Sequence, residues 1–456
     1  MRQIALIAYL GLMAACQATA QTFTTLYGFT GGGDGSDPQA GLVLSGSTLY
    51  GTTKESDGGF GTVYAVNTDG SGFTNLYNFT ANIDGAYPTA GLLLSGNTLY
   101  GTASQNADYG AVYAVNTDGT NFTNLHSFTG GSDGADPYAG LILSGSTLYG
   151  AAGSGGDEGV GVVFAVNTNG TMFTNLFSFS YTNVSTRYSP YCNLILSGNT
   201  LYGTTSVAGT NGGYGTVFAV NTDGSDFRVL HTFTTPDGSV NVPGTNSDGA
   251  TPFASLILSG HILYGTASTG GITGNGTVFA VNTDGTGFTN LYNFTRGSDG
   301  AFPVAGLVLS GNTLYGTASV GGNADYGTVF AINTDGTGFT SLYSFTGVSD
   351  GAYPKAGLIL SGNTLYGTAS QGGTSGAGTV FALSLVPSLG IALTGQQVVI
   401  SWPTWAPNYG LQTTTNLASP VWIAVSPVPV VFNGQNVVTN SISAAQQFYR
   451  LSQASP

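Results

Sequence analysis

From residue 23 to about 385 the chain alternates short apolar runs with clusters of Gly, Asn, Asp and Ser, and the same runs return in the same order. A typical cycle contains Leu94-Ser95-Gly96-Asn97-Thr98-Leu99-Tyr100-Gly101, then a Gly-rich gap. It continues with a run such as Gly61-Thr62-Val63-Tyr64-Ala65-Val66-Asn67, a turn, and an aromatic run such as Phe73-Thr74-Asn75-Leu76-Tyr77-Asn78-Phe79. Runs this short, rich in β-branched and aromatic residues and closely spaced by turn formers, predict strands and leave no room for helices. The Tyr of Leu-Tyr-Gly falls at 50, 100, 149, 202, 264, 315 and 366, at intervals of 50, 49, 53, 62, 51 and 51 by subtraction. Seven copies of one unit follow.

Turn chemistry predicts which strands pair. Ser-Gly-Asn-Thr and Asn-Thr-Asp-Gly are tight hairpin signals that keep successive strands in one sheet. The longer stretch from Phe128 through Asp133-Gly134-Ala135-Asp136-Pro137 to Leu141 is the natural crossing between sheets. One unit is then four antiparallel strands, with Ala-Gly-Leu innermost and the aromatic run outermost. Seven such units of about fifty residues predict an all-β fold, a seven-bladed β-propeller over residues 21–385. The array opens on an orphan aromatic strand, 23–30, and its last unit stops after a third strand, 378–385. These two segments are expected to pair and latch the ring, removing an exposed edge.

The wording Gly-Leu-x-Leu-Ser-Gly-Asn-Thr-Leu-Tyr-Gly, Gly-Gly, Val-Phe-Ala-Val-Asn is similar to the kelch propeller repeat, without the Trp usual in its fourth strand. It resembles more closely the bacterial GloVer tandem-repeat proteins. That resemblance implies an exported propeller and implies no reaction. Beyond Val386 the wording changes, and all three tryptophans, Trp402, Trp405 and Trp422, lie there. Residues 386–456 read as a small Ig- or fibronectin-like β-sandwich, with strands at 397–402, 409–414, 421–425, 436–442 and 447–451. Residues 1–20 read as an export signal, with Arg2, an apolar stretch from Ile4 to Ala15 and Ala18-Thr19-Ala20 before Gln21. The expected location is therefore secreted, periplasmic or cell-surface. Leu12-Met13-Ala14-Ala15-Cys16 resembles a lipoprotein box, so a lipid anchor on Cys16 is the alternative.

Composition narrows the partners. Only 6% of the 456 residues are charged, and seven Lys plus Arg against 21 Asp plus Glu give a net charge of −14. No cationic footprint exists for nucleic acid. No later run of 18 apolar residues predicts a transmembrane span. With the signal removed, Cys192 is the only cysteine, so no intramolecular disulfide forms. A monomer is expected.

Strand order places the crossings and the loops between second and third strands on one face, where all the length variation lies, including the insertion from Pro236 to Asn246. That face is the candidate binding face. The repeated Asp-Gly-x-x-Pro element reads as a turn in which Asp caps backbone N–H groups. Asp34 with Asp37, and Asp133 with Asp136, are weak candidates for Ca²⁺, which wants six to eight oxygens; otherwise no cofactor is expected. Residues that break the repeat are better candidates: Lys54, Glu55 and Asp57; Asp157 and Glu158; Arg187 and Tyr188; and Asp237. The aromatics Tyr87, Tyr138, Phe253, Phe302 and Tyr353 join them. His126 and His231 occupy an aromatic slot and read as packing residues, His261 as a surface turn residue, and Cys192 as a buried apolar residue. No catalytic residue is assigned. The expected function is a non-enzymatic propeller presenting a face to an extracellular polysaccharide or surface protein, with the C-terminal module for attachment or spacing. The alternative is a carbohydrate-active hydrolase or lyase working through loop carboxylates.

Overall fold

A computed structural model describes residues 22–81, 84–105, 109–180, 187–208, 214–237, 244–387, 389–395, 397–403, 409–432, 435–441 and 446–453. The expected signal, Cys16 and Trp405 lie outside them, as does the middle of the 236–246 insertion. The chain separates into one compact unit of Phe23–Ala382 and a second that includes Leu383–Pro456.

The larger unit holds seven antiparallel sheets in chain order. Blade 1 runs Val43–Ser45, Thr48–Thr53, Thr62–Asn67 and Thr74–Asn78, each strand bonded to the next. Blades 2 to 6 repeat this order, starting at Leu93, Ile142, Ile195, Ile257 and Val308. Blade 7 takes Ile359–Ser361, Thr364–Ala369 and Thr379–Ser384 and receives Phe23–Gly28 as its outer strand, so the first strand of the chain closes the last sheet. The latch expected from the sequence is present. One detail differs: Ala-Gly-Leu is the lead-in to the innermost strand, which begins one residue after the Leu. The reason is that the Ala carbonyl is committed elsewhere. It accepts the hydroxyl of a second-strand threonine in the preceding blade, as from Thr102 to Ala139 (2.9 Å), Thr266 to Ala305 (3.0 Å) and Thr368 to Ala40 (3.2 Å).

Side-chain size grades from the inner edges of the sheets outward, as wedges around a ring require. At the inner edges glycines approach: a Cβ on Gly41 would meet Gly357 O at 3.4 Å, and one on Gly91 would meet Gly41 O at 3.4 Å. In mid-blade each Leu-Tyr-Gly glycine lies under the aromatic ring opposite it, as Gly150 lies under Phe164, where a Cβ would come within 2.5 Å of the ring. At the outer strands the blades are joined by stacked rings. Tyr77 on Phe122 (3.8 Å), His126 on Phe173 (3.6 Å), Phe177 on Phe227 (4.1 Å), His231 on Phe288 (3.6 Å) and Tyr292 on Phe339 (3.8 Å) each link a blade to the next. Phe23 on Tyr343 (4.0 Å) and Tyr27 on Phe73 (3.8 Å) complete the circle, so the closing strand supplies one ring to each flanking junction.

The C-terminal unit has two antiparallel sheets. Gly390–Thr394, Gln397–Pro403, Gln435–Ser441 and Val430–Phe432 form one, and Ile423–Ala424, Tyr409–Thr414 and Phe448–Gln453 the other. Val398, Ile400, Trp402 and Val438 of the first pack with Leu411 of the second. The first and fourth strands of the larger sheet were not legible in the sequence; both are short or largely exposed edges. No helix among the described residues is long and apolar enough to cross a membrane.

Candidate functional site

The crossings and the second-to-third-strand loops share one face, because they bond to each other. Ser36 pairs Glu55, Ala86 pairs Gln105, Ala135 pairs Ser154, and three further blades repeat the bridge. In blade 4 a short strand, Arg187–Ser189, replaces it and pairs with Ser206–Ala208.

Each crossing ends in a proline packed on the glycine that precedes the third strand of the preceding blade. A Cβ on Gly61, Gly110, Gly161, Gly215, Gly276, Gly327 or Gly378 would strike Pro88, Pro137, Pro190, Pro252, Pro303, Pro354 or Pro38 at 2.4 to 2.7 Å. These seven prolines fix two sets of neighbours. The residue before the proline is left-handed at Asp37, Tyr87, Asp136, Thr251, Phe302 and Tyr353, with φ between 52° and 59°. Such strain in bulky residues needs repayment. It comes from two backbone bonds spanning a blade junction: Tyr87 N donates to Phe60 O (3.0 Å) and Tyr87 O accepts from Ser104 N (3.3 Å). Tyr87, Phe302 and Tyr353 are thus staples between blades, a role the sequence did not distinguish from that of Tyr138 and Phe253.

The residue after the proline precedes the three-residue lead-in to the innermost strand, which places this second set beside the inner edges of the blades. Blades 1 to 7 contribute Gln39, Thr89, Tyr138, Tyr191, Phe253, Val304 and Lys355. Thr89, Tyr138, Tyr191 and Phe253 line a pocket of about 320 Å³. Tyr138 and Tyr191 meet edge to face (5.2 Å between centroids), Tyr191 and Phe253 are tilted (6.2 Å), and Phe253 is 37% exposed. Gln105 Nε2 donates to Tyr138 Oη (3.3 Å).

Blade 3 is trimmed to seat Tyr191. Where blades 2, 5, 6 and 7 read Thr-Ala-Ser after Leu-Tyr-Gly, blade 3 reads Ala151-Ala152-Gly153, and a Cβ on Gly153 would lie 2.6 Å from the Tyr191 ring. Tyr191 was not among the sequence candidates, because its crossing lacks the Asp-Gly signal. Pro190 stands before Cys192-Asn193-Leu194 as the other crossing prolines stand before their own lead-ins, and that register, together with the trimmed triplet, is the signal that could have found it.

The repeated aspartates serve the fold, as expected. Asp34 accepts from Thr30 N (2.8 Å), Thr30 Oγ1 (2.5 Å) and Tyr27 Oη (3.0 Å). Burial pushes its carboxyl up, but these hydrogen bonds outweigh burial and hold it below the usual range. Tyr27 is pushed up to about 12 by burial and by Asp34. The same bond joins Asp133 to His126 (3.2 Å) and Asp248 to His231 (3.1 Å). Burial lowers the His126 imidazole, and Asp133 offsets this only in part. In the crossing without an aspartate the partner slot holds Phe177, which has no hydroxyl to satisfy. Asp37 accepts from Gln39 Nε2 (2.7 Å) and Asp136 from Ser154 Oγ (2.5 Å). Among the described residues no group of three or more His, Cys, Asp or Glu gathers as a metal site.

The other candidates remain apart. Lys54 lies 3.8 Å from both Asp37 and Glu55, and Asp57 is exposed. Asp157 and Glu158 occupy an exposed turn, and exposed Asp237 bridges Thr245. Arg187 and Tyr188 lie on the added strand of blade 4, with side chains outside the described residues. His261 is an exposed turn residue, and Cys192 is buried, its thiol pushed up by that burial.

A family model described as the Gloeobacter/Verrucomicrobia repeat matches residues 103–246 and 239–407. No curated protein matches. Similar solved structures include an oligogalacturonate lyase in complex with manganese (11% identity, 81% of this chain and 94% of that one, TM-score 0.49). An oligogalacturonate lyase from Vibrio parahaemolyticus (10%, 81% and 94%, 0.48) and a nidogen/laminin complex (13%, 63% and 88%, 0.38) are others. Such likeness carries no reading of activity.

Proposed function

Taking as premise that the chain belongs to the Gloeobacter/Verrucomicrobia repeat family, we propose that it is an exported, non-enzymatic propeller that binds an extracellular polysaccharide at its axial mouth. The C-terminal module then serves attachment or spacing. One observation carries the reading: Tyr138, Tyr191 and Phe253 form an aromatic arc on three consecutive blades only, seated by a local trimming of blade 3. A fold requirement would recur in all seven copies. Aromatic faces beside a tyrosine hydroxyl and a threonine suit the C–H face and hydroxyls of a pyranose. The carboxylates that a hydrolase or lyase would use are exposed on separate loops or engaged in turns, and none is among the residues lining the pocket.

A glycan array with a polysaccharide-release assay tests this. The expected result is saccharide binding that weakens at least about tenfold in Tyr191→Ala, a centrally placed aromatic anchor, with no product released. Release of oligosaccharides that is lost in Glu55→Gln or Asp157→Asn overturns it in favour of catalysis.

A further inference from the structure

The aromatic arc occupies the position after the crossing proline in blades 3 to 5, and in blade 7 the same position is Lys355. Lys54 is held near Asp37 and Glu55, Arg228 near Asp226 (3.4 Å), and Arg296 near Asp325 (3.2 Å). Arg450 bonds Gln412 and covers the Trp422 ring. Among the cations whose side chains are described, a set that leaves out Arg187, Lys355 is the one with no ion pair or hydrogen bond, although acids outnumber cations three to one in this sequence.

Its place is set by symmetry. Lys355 follows Pro354 as Tyr191 follows Pro190, and both prolines sit on equivalent glycines. Tyr191 belongs to blade 4 of seven, so the point across the axis falls between blades 7 and 1, between Lys355 and Gln39. The other six copies carry Gln, Thr, Tyr, Tyr, Phe and Val at this position, so the blade does not need a cation there. Of the acids flanking the ring positions of blades 1 and 3, Asp136 accepts from Ser154 Oγ, and Asp37 accepts from Gln39 Nε2 on one oxygen, 3.8 Å from Lys54, while its other oxygen is buried without a hydrogen-bond partner.

We infer that the axial mouth selects a saccharide carrying an anionic group, its sugar ring on the aromatic arc and its charge paired with Lys355; this rests on the polysaccharide reading above. An ammonium reads charge as a point, without the planar match of a guanidinium, so a carboxylate and a sulfate ester share the chemistry. The net charge of −14 repels anions at long range. At physiological salt that repulsion is screened beyond roughly 8 Å, and the contact pair decides the preference.

The full mature chain is titrated calorimetrically at physiological ionic strength, ~0.15 M salt, with three probes. They are a hexuronate trisaccharide, its carboxyl-reduced neutral counterpart, and a sulfated form of that neutral sugar. One or both charged probes are expected to bind about three- to tenfold tighter than the neutral one, and which of them does so identifies the anion. Lys355→Met removes the difference and Lys355→Arg retains it. Equal binding of all three, or a preference that survives in Lys355→Met, overturns the inference while leaving polysaccharide binding intact. Failure of every saccharide to bind overturns the functional reading itself.

Discussion

The closing strand offers the sharpest test of the architecture. Phe29, the residue just after that strand, is 1% exposed and meets the Tyr64 ring of blade 1 edge-on at 5.1 Å. Its counterpart just after an ordinary outer strand is Phe79, 3% exposed and 5.1 Å from Tyr113. If the first strand is as fully built into blade 7 as any strand is into its own blade, Phe29→Ala and Phe79→Ala should cost alike, about 3–5 kcal/mol each for a buried Phe. Removing residues 22–30 as a whole should cost more. It deletes Phe29, the Phe23–Tyr343 and Tyr27–Phe73 stacks, each worth about 0.5–1.5 kcal/mol beyond burial, and exposes the edge of Thr379–Ser384. That total is comparable with the usual net stability of a domain, about 5–15 kcal/mol. Thermal and urea melts followed by near-ultraviolet circular dichroism read the outcome. Phe29→Ala should lower Tm on the order of 5–10 °C, and the truncated chain should lose its cooperative transition. A Phe29→Ala variant that melts like the parent, while Phe79→Ala falls as expected, would show that the first strand merely lies against the ring.

Two further outcomes follow from individual contacts. Gly153 has an ordinary backbone conformation, so Gly153→Ala introduces chiefly a clash with the Tyr191 ring, 2.6 Å from the new Cβ, beside a tight 3.3 Å approach to Asp136 O. Saccharide affinity should fall several-fold with little change in Tm, since the ring turns outward; affinity equal to that of the parent would refute the seating of Tyr191. At alkaline pH the Tyr27–Asp34 pair should weaken. The folded-state pKa of Tyr27, about 12, lies above the unfolded value, about 10, so its stabilisation is present below pH 10 and is lost as pH rises toward 12. The Tm gap between the parent and Tyr27→Phe should therefore narrow from pH 8 to pH 11, and a widening gap would reverse the sign of that linkage.

What the sequence made legible follows from repetition. A residue type that returns in copy after copy reports a constraint imposed by every blade: the strands and hairpins returned seven times and the capping aspartates in six crossings, while the latch followed from the strand that the last copy lacks and the first residues supply. The His residues were legible for the same reason: His126 and His231 stand where other copies have Tyr, and the structure gives them the stack and the aspartate bond that Tyr makes. The pocket was only half legible, because it rests on departures from the repeat in two different blades. Ala151-Ala152-Gly153 looks like ordinary small-residue drift until Tyr191 is laid over it, and Tyr191 sits in the one crossing whose usual marker is missing. Tyr87 and Tyr138 show the converse difficulty. One residue before or one after a proline changes an aromatic from a left-handed staple between blades to a wall of the axial mouth. That distinction depends on which carbonyls each backbone group finds across a junction, and pairing across a junction is set by the ring as a whole. Position relative to the proline therefore separates, in a repeat of this kind, aromatics that hold the blades together from aromatics free to meet a ligand.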